Sequence, residues 1–520
     1  MRTKGFLLFS SLLLLFFVLS SRSLHLPGLY YDEAYEAALA VDMLHPEIHG
    51  FNNYCIKLFG LPFPISSSAY NGALKSYLFV PVFLVFGANV VAVRTTTIFL
   101  ALLTVVVTFF FAKELFSLKT ALMTTLLLVT DPSFIFLTRC EMGPVCLPIL
   151  FQVSALYFFL RWWKTGRKRY FVIGALSVSL GLYERLPYAV FAVSSISVVL
   201  AMFGKGLKDR IGKFELSFGF FAFAIGLSLW ALHAAKAMTM EIGISTLRNR
   251  LMIFSETLSG ITVARYWFRG NVLDHREIFP LLLGTCILTS GIQQLGSASN
   301  KKDKRVLCIL FIFSLMLTVL LSMRYVRFGY HFLYVYPLPH LICATALSRE
   351  TVAFGKPAGA FKKAFSGVLA FLLFMTVTAN LHTVHRIYGL LKGTGGQGHW
   401  TDAIYQLDGF LRTQKGKTVV CMHWGLQRNL FVVSNGAYPV VEAAWAYREA
   451  KPEDRPSLKA LFDNLGNLYL VYSTTTTQAE KFEDLVRSLN CHPTFLKAFY
   501  QRDGRRVYSV YTLQKPENSF

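Results

Sequence analysis

Charge is what this sequence lacks most. Only 16 % of its 520 residues are Asp, Glu, Lys or Arg, against 54 % hydrophobic ones, which excludes an ordinary soluble globule and fits a polytopic membrane protein. Acids are the scarcer sign, 29 against 52 basic residues, for a formal net charge of +23. Most of the basic residues fall in short runs between apolar stretches, so they report topology rather than nucleic-acid binding. The 8 cysteines include no C-x-x-C pair, which excludes a zinc knuckle or a disulfide scaffold and leaves only a single Cys421–Cys491 bridge to test. No Walker loop, G-x-G-x-x-G or D-x-D nucleotide-sugar signature is expected to be functional here, which favours a lipid-linked donor over a sugar nucleotide.

What the chain has instead is a series of apolar windows, each near the length of about 17–25 residues that crosses a bilayer. They lie near 5–21, 90–112, 119–137, 144–162, 169–183, 186–203, 214–232, 277–294, 306–322, 331–348 and 364–383, eleven in all. The first also fits a signal peptide, because its apolar core is short and small residues follow it. A further stretch, residues 73–87, is short and carries Lys75 and Pro81. If it does not cross, the basic runs "RWWKTGRKR", "GKGLKDRIGK", "KKDKR" and "GKPAGAFKK" all fall inside; if it does, all four flip outside, against the tendency of Lys- and Arg-rich short loops. Residues 73–87 are therefore expected to lie as a helix in the outer interface, within a first outer loop spanning 22–89. The loop from His233 to Arg276 is also basic and falls outside in this scheme, but long loops report topology poorly.

An odd number of spans places the tail outside. Residues 1–383 read as the transmembrane domain and 384–520 as a soluble α/β domain. In the tail, "KTVVCMHWG" and "NLYLVYS" read as strands, "TDAIYQLDGFLRTQ" and "TQAEKFEDLVRSL" as amphipathic helices. The last strands are joined at Asp503 and Gly504, a hairpin dipeptide. Trp400 and the "HWG" at His423 are expected to pack inside this domain.

With that topology, mixed charges gather at the outer ends of the helices. They are Asp32, Glu33 and Glu36 after the first span, then Lys75, Arg139 and Glu141 in "LTRCEMGP", Glu184 and Arg185 in "GLYERLPY", and Arg324, Arg327, Tyr330 and His331 in "MRYVRFGYH". Each alone reads as an interfacial anchor or local ion pair. Together they match an anionic lipid headgroup site, with basic groups for phosphate and a carboxylate to accept a hydroxyl proton. Arg94, opening the second span, fits either a phosphate contact or a helix anchor.

The stretches "YYDEAYEAALAVDM", "GANVVAVRTTTIFLALLTVVVTFFFAKELF" and "TDPSFIFLTRCEMGPVCLPILFQVSALYFFLRWW" together resemble the GT-C membrane glycosyltransferases, in the branch of protein O-mannosyltransferases and lipid A aminoarabinose transferases. The likeness covers roughly residues 5–200, and "RFGYHFLYVYPLP" resembles the family's late span. It implies an uncleaved first helix, an interfacial helix before "VAVR", and transfer of a hexosyl or pentosyl group from a polyprenyl-phosphate carrier to a lipid, glycan or protein acceptor. By the same resemblance Asp32 is the general base and Glu33 supports it. Lys75, Arg94, Arg139, Glu141, Arg185, Arg324, Arg327, Tyr330 and His331 are the candidates to bind donor phosphate and substrate. Two departures stand out: "YNGALKSY" replaces a Lys-Pro-Pro or His-Pro-Pro element, and Pro144 stands where relatives have an aspartate.

His45, Glu47 and His49, or His382 and His385, have spacing that fits a divalent cation, but solvated histidines are commoner, and no cofactor is assigned. The competing functions are a flippase or permease for lipid-linked saccharides, and a ligase or polymerase. Against transport, no pair of interrupted helices occurs in matching halves. No ER-type retention signal ends the chain at "KPENSF", so a bacterial plasma membrane is expected, with no nucleic-acid partner.

Overall fold

The computed structural model describes residues 3–45, 55–58, 61–68, 71–228, 243–268, 277–295, 303–348, 359–447, 455–473, 476–489 and 491–515. Glu47 and His49, Lys301 and Lys302, and residues 355–358 lie outside these, as do 233–242 and 269–276 of the loop from 233 to 276.

All eleven apolar windows are helical. In chain order the first ten helices are α1 Thr3–Ser21, α2 Tyr31–Leu44, α3 Leu74–Phe86, α4 Val90–Leu115, α5 Leu118–Thr130, α6 Pro132–Arg139, α7 Cys146–Thr165, α8 Lys168–Glu184, α9 Ala189–Lys208 and α10 Lys213–Ser228. Then come α11 Ile244–Leu258, α12 Ile261–Trp267, α13 Ile278–Leu295, α14 Lys304–Ser322, α15 Leu338–Ser348 and α16 Gly359–Thr394. Six stretches among the described residues are long and apolar enough to cross a membrane: Lys4–Ser21, Val90–Leu115, Cys146–Thr165, Leu186–Lys208, Lys304–Ser322 and Ser366–Thr394. A seventh is the pair α5 and α6, bent by 61° at Asp131.

That bend has a local cause. Asp131 ends α5 and caps α6, its Oδ1 accepting the Phe134 N–H at 2.8 Å, and Pro132 at the first helical position cannot donate back into α5. The capping carboxylate is buried, and Tyr336 Oη donates to its Oδ2 at 3.1 Å while His340 Nε2 lies 3.0 Å away. The window 119–137 is thus two helices. Those near 169–183, 214–232, 277–294 and 331–348 are shorter described helices or helical turns joined by a break, which is why fewer than eleven pass on length.

Residues 73–87 form α3, and its Lys75 is buried. Four short strands precede it, β1 Cys55–Leu58 with β2 Leu61–Pro64 and β3 Ser66–Ser68 with β4 Asn71–Gly72.

The C-terminal part is a five-stranded mixed sheet of β5 Val419–Cys421, β6 Val440–Glu442, β7 Leu468–Tyr472, β8 His492–Tyr500 and β9 Arg506–Gln514, in the order β6-β5-β7-β9-β8. The first three strands run parallel and β9 pairs antiparallel with β7 and β8. Alternation along β5 and β7 sends Cys421, Leu468 and Leu470 to one apolar layer and Val420, Tyr469 and Val471 to the other. The first layer packs on α17 Ala403–Leu411 and α18 Leu426–Ser434, the second on α19 Arg455–Asp463 and α20 Thr476–Ser488. Cys421 and Cys491 belong to opposite layers and both are free thiols, so the bridge does not form.

This domain grips the segment that carries the Asp-Glu pair. Tyr405 Oη donates to His25 O at 3.0 Å, Asn429 Nδ2 to Leu29 O at 3.1 Å and Arg428 Nη1 to Tyr35 O at 2.8 Å. Phe431 and Val432 of α18 join the apolar core under α2 and α3.

Candidate active site

Glu33 and Arg94 form a buried bidentate pair. The Nε and Nη2 groups of Arg94 each donate to a Glu33 carboxylate oxygen at 2.7 Å, and Nη1 donates to Leu24 O and Pro27 O at 2.7 and 2.9 Å. Arg139 does similar work one helix away: Nη1 donates to Tyr388 Oη at 2.8 Å, and Nη2 to Ser23 O and Leu26 O at 2.5 Å each. Two buried guanidinium groups therefore hold the loop 23–27 that delivers α2. The donors of Arg94 are turned to Glu33 and backbone carbonyls, and the two Nη groups of Arg139 to Tyr388 and backbone carbonyls. Glu33 in turn supports the loop through Arg94.

Lys75 is likewise held by protein groups. It is 1 % exposed and pairs with Glu36 Oε2 at 2.7 Å and with the carboxylate of Glu141. Burial acts to lower the ammonium's pKa, but the charges of Glu141 and Glu36 more than offset that and hold it above its usual range. Burial raises the Glu36 carboxyl, with Lys75 pulling the other way. Glu141 has φ +39°, a left-handed conformation rare outside glycine, and its Oε1 accepts the Cys146 N–H at 3.1 Å. Glu184 Oε2 accepts the Leu74 N–H at 3.1 Å, anchoring the start of α3. Sequence reasoning left Glu36 and Glu184 out of the candidate set; their signal was only their place at the outer helix ends.

Asp32 differs from these acids. Glu33, Glu36, Glu141 and Glu184 are at most 2 % exposed, whereas Asp32 is half-buried in the first turn of α2. Its Oδ2 accepts the Gly143 N–H at 3.2 Å. Gly143 has φ +67°, and a Cβ there would lie 2.6 Å from two Tyr330 ring atoms and 3.2 Å from Arg185 Nη1. Only glycine lets the backbone, Tyr330 and Arg185 meet beside Asp32. Burial pushes the Asp32 carboxyl up to about 6, with Arg185 the strongest opposing influence, then the Gly143 hydrogen bond.

Arg185 also donates through Nη1 to Pro144 O at 2.9 Å, and its guanidinium lies 5.9 Å from the Tyr330 and Tyr334 ring centroids. Pro144 thus contributes a carbonyl where relatives have an aspartate. Arg324 and Arg327 are exposed. His331 is buried, its Nδ1 within 3.3 Å of Phe328 N and 3.1 Å of Phe328 O, so it closes the turn that presents Tyr330.

The aromatic residues of the tail sit at the junction rather than inside their own domain. Tyr30, beside Asp32, stacks on Trp400 at 4.0 Å, and Tyr31 lies 4.1 Å from Trp424. His423 lies 5.1 Å from both His399 and Tyr472. The run GTGGQG at 393–398 has the glycine spacing of a dinucleotide fingerprint, which sequence reasoning passed over, but it closes a helix instead of following a strand. Its Gly396 has φ +88°, and a Cβ there would lie 2.1 Å from Trp400 O, which is the packing reason for glycine at that point. Among the described residues no group of three or more His, Cys, Asp or Glu is arranged to hold a metal ion.

Comparison with known proteins follows the same geometry. The family described as dolichyl-phosphate-mannose-protein mannosyltransferase matches residues 73–230. The crystal structure of ArnT from Cupriavidus metallidurans bound to undecaprenyl phosphate is similar over 98 % of each chain, with a TM-score of 0.59 and 13 % identity. The chain has the GT-C fold. The Archaeoglobus fulgidus oligosaccharyltransferase tethered with an acceptor peptide is similar over 99 % of this chain and 75 % of that one, with a TM-score of 0.56 and 12 % identity. No curated protein matches the sequence. The matched GT-C segment runs from α3 to α10 and so includes Lys75, Arg94, Arg139, Glu141 and Arg185 but stops short of Asp32.

Proposed function

We propose that this protein transfers a hexosyl or pentosyl group from a polyprenyl-phosphate carrier to an acceptor at the outer face of a bacterial plasma membrane. The observation that carries the reading is the contrast among five acids: four are buried in pairs or backbone contacts, and Asp32 alone is partly open to solvent, beside a guanidinium and a backbone N–H. The carrier class is supported by the matched family and by structural neighbours bound to undecaprenyl phosphate and dolichol-phosphate.

In this reading the acceptor oxygen attacks the anomeric carbon as its proton passes to the Asp32 carboxylate. The bond from that carbon to the phosphate oxygen breaks, and its electron pair leaves on polyprenyl phosphate. One displacement inverts the anomeric centre. Arg185 and Tyr330 flank the carboxylate and offer a cation and a hydroxyl to the departing phosphate, with the exposed Arg324 and Arg327 as the approach. The C-terminal domain lies on the outer side and keeps α2 in place. Membranes carrying the protein, given radiolabelled polyprenyl-phosphate sugars and envelope fractions as acceptor, should transfer label from one donor, and Asp32→Asn should abolish it. Movement of labelled lipid across the bilayer without transfer, indifferent to Asp32, would instead make this a transporter.

A further inference from the structure

At the end of the helices away from Asp32, α4, α7, α8, α9 and α14 enclose a cavity of about 600 Å³. Its size falls within the range of small-molecule sites, about 300–1,000 Å³. The walls are almost wholly apolar, with Phe159, Phe171, Phe191 and Ile312 among them; the polar lining is Ser195, Lys164 and Arg305. An apolar chamber with a cationic rim is amphipathic in the same sense as a lipid.

The rim cations are part-exposed to solvent and each has an acidic neighbour. Lys164 and Arg161 each lie 3.5 Å from a carboxylate oxygen of the single Glu114, and Arg305 pairs with Asp303 at 2.8 Å. Arg210 stacks 5.0 Å over Trp163, which also lines the cavity. Lys164, Arg161, Arg305 and Arg210 thus outnumber Glu114, Asp303 and Asp209 at this end, which favours an anion. Trp162 and Trp163 add the aromatic girdle found at a membrane interface.

We propose that this cavity seats an acyl chain of an anionic phospholipid of the cytoplasmic leaflet, its phosphate held by Lys164 and Arg305. The donor lipid is a poor occupant, because its phosphate must reach Asp32 at the far end of α4, a helix about 39 Å long at 1.5 Å per residue. The assignment of leaflet rests on the basic end facing the cytoplasm, but binding itself needs no transfer activity, so the test is independent of the proposed reaction.

The full chain, purified in mild detergent, is titrated with phosphatidylglycerol, phosphatidylcholine or undecaprenyl phosphate and read by native mass spectrometry. One phosphatidylglycerol should be retained in preference to phosphatidylcholine. Replacing both Lys164→Gln and Arg305→Gln should weaken it by about tenfold. Filling the chamber with Ala192→Phe should displace the lipid; should that variant not fold, the solvent-exposed rim pair decides alone. Equal retention of the two phospholipids, indifference to the rim substitutions, or undecaprenyl phosphate held with the same dependence on Lys164 and Arg305 would each overturn the proposal.

Discussion

At the Asp32 end of the bundle, Lys75 lies 1 % exposed between Glu36 and Glu141; at the other end, Lys164 is 43 % exposed and 3.5 Å from its nearest carboxylate oxygen. The same residue type does different work because of its solvent. A surface lysine keeps its water, contributes little to stability through its pairs, and remains available to a lipid phosphate. A buried lysine is committed to its carboxylates, and removing it leaves their charge stranded. Burial rather than residue type therefore separates these two lysines, Lys75 held between its carboxylates and Lys164 open to solvent.

The sharpest way to break this contrast is at Asp32. If it is the base, Asp32→Asn should lower transfer by about 10²–10⁴-fold, the range a positioned base contributes, while leaving donor binding intact. Transfer by the Asn variant within a few-fold of wild type, measured with labelled donor, would return Asp32 to the company of the other acids. Next in size is Lys75→Met, which should destabilise the fold by about 3–5 kcal/mol because Glu36 and Glu141 lose their shared counter-charge. Thermal unfolding in detergent reads this, and adding Glu141→Gln should recover part of the loss. No shift in midpoint would mean that water already enters the cluster.

A third expectation concerns pH. With the Asp32 carboxyl at about 6, the base is ionised above that value, so kcat/KM should rise tenfold per pH unit below it and level off above. Because Arg185 opposes the rise, Arg185→Gln should move this limb to higher pH, whatever it does to the plateau. For stability the sign is the opposite: a carboxyl held above its usual 3.8 binds more protons folded than unfolded, so its contribution is lost as pH rises from about 4 to about 6. A rate profile flat across pH 5–7 would count against Asp32 as the base.

Much of this was legible in the sequence where periodicity and charge pattern act locally. Each apolar window is helical over its described residues, two of them with a break, residues 74–86 form α3, and the Asp503–Gly504 dipeptide turns between β8 and β9, with Gly504 at φ +82°. Charge separation between the two ends followed from the loop runs. What could not be read is who pairs with whom. That Arg94 reaches back to Glu33, Arg139 to the loop at 23–26 and Lys75 to Glu36 depends on contacts between helices 40 to more than 100 residues apart, which no local pattern encodes. Beta strand β6, three residues long, was missed because its sequence carries too few alternations to signal a strand.

The smallest predicted effect tests whether Asp32 is positioned or merely present. Gly143 donates the backbone N–H to Asp32 from a left-handed conformation, and a side chain there would meet the Tyr330 ring. Gly143→Ala should cost about 1–2 kcal/mol for an L-residue in that region. The Tyr330 ring must also move, and with it Arg185. If these groups orient the base, kcat should fall by more than the loss of stability explains, read by comparing kcat with the unfolding midpoint of the same variant. Gly143→Ala with wild-type kcat would show that Asp32 needs only its own helix turn to hold it, and that Arg185 and Tyr330 act on the phosphate alone.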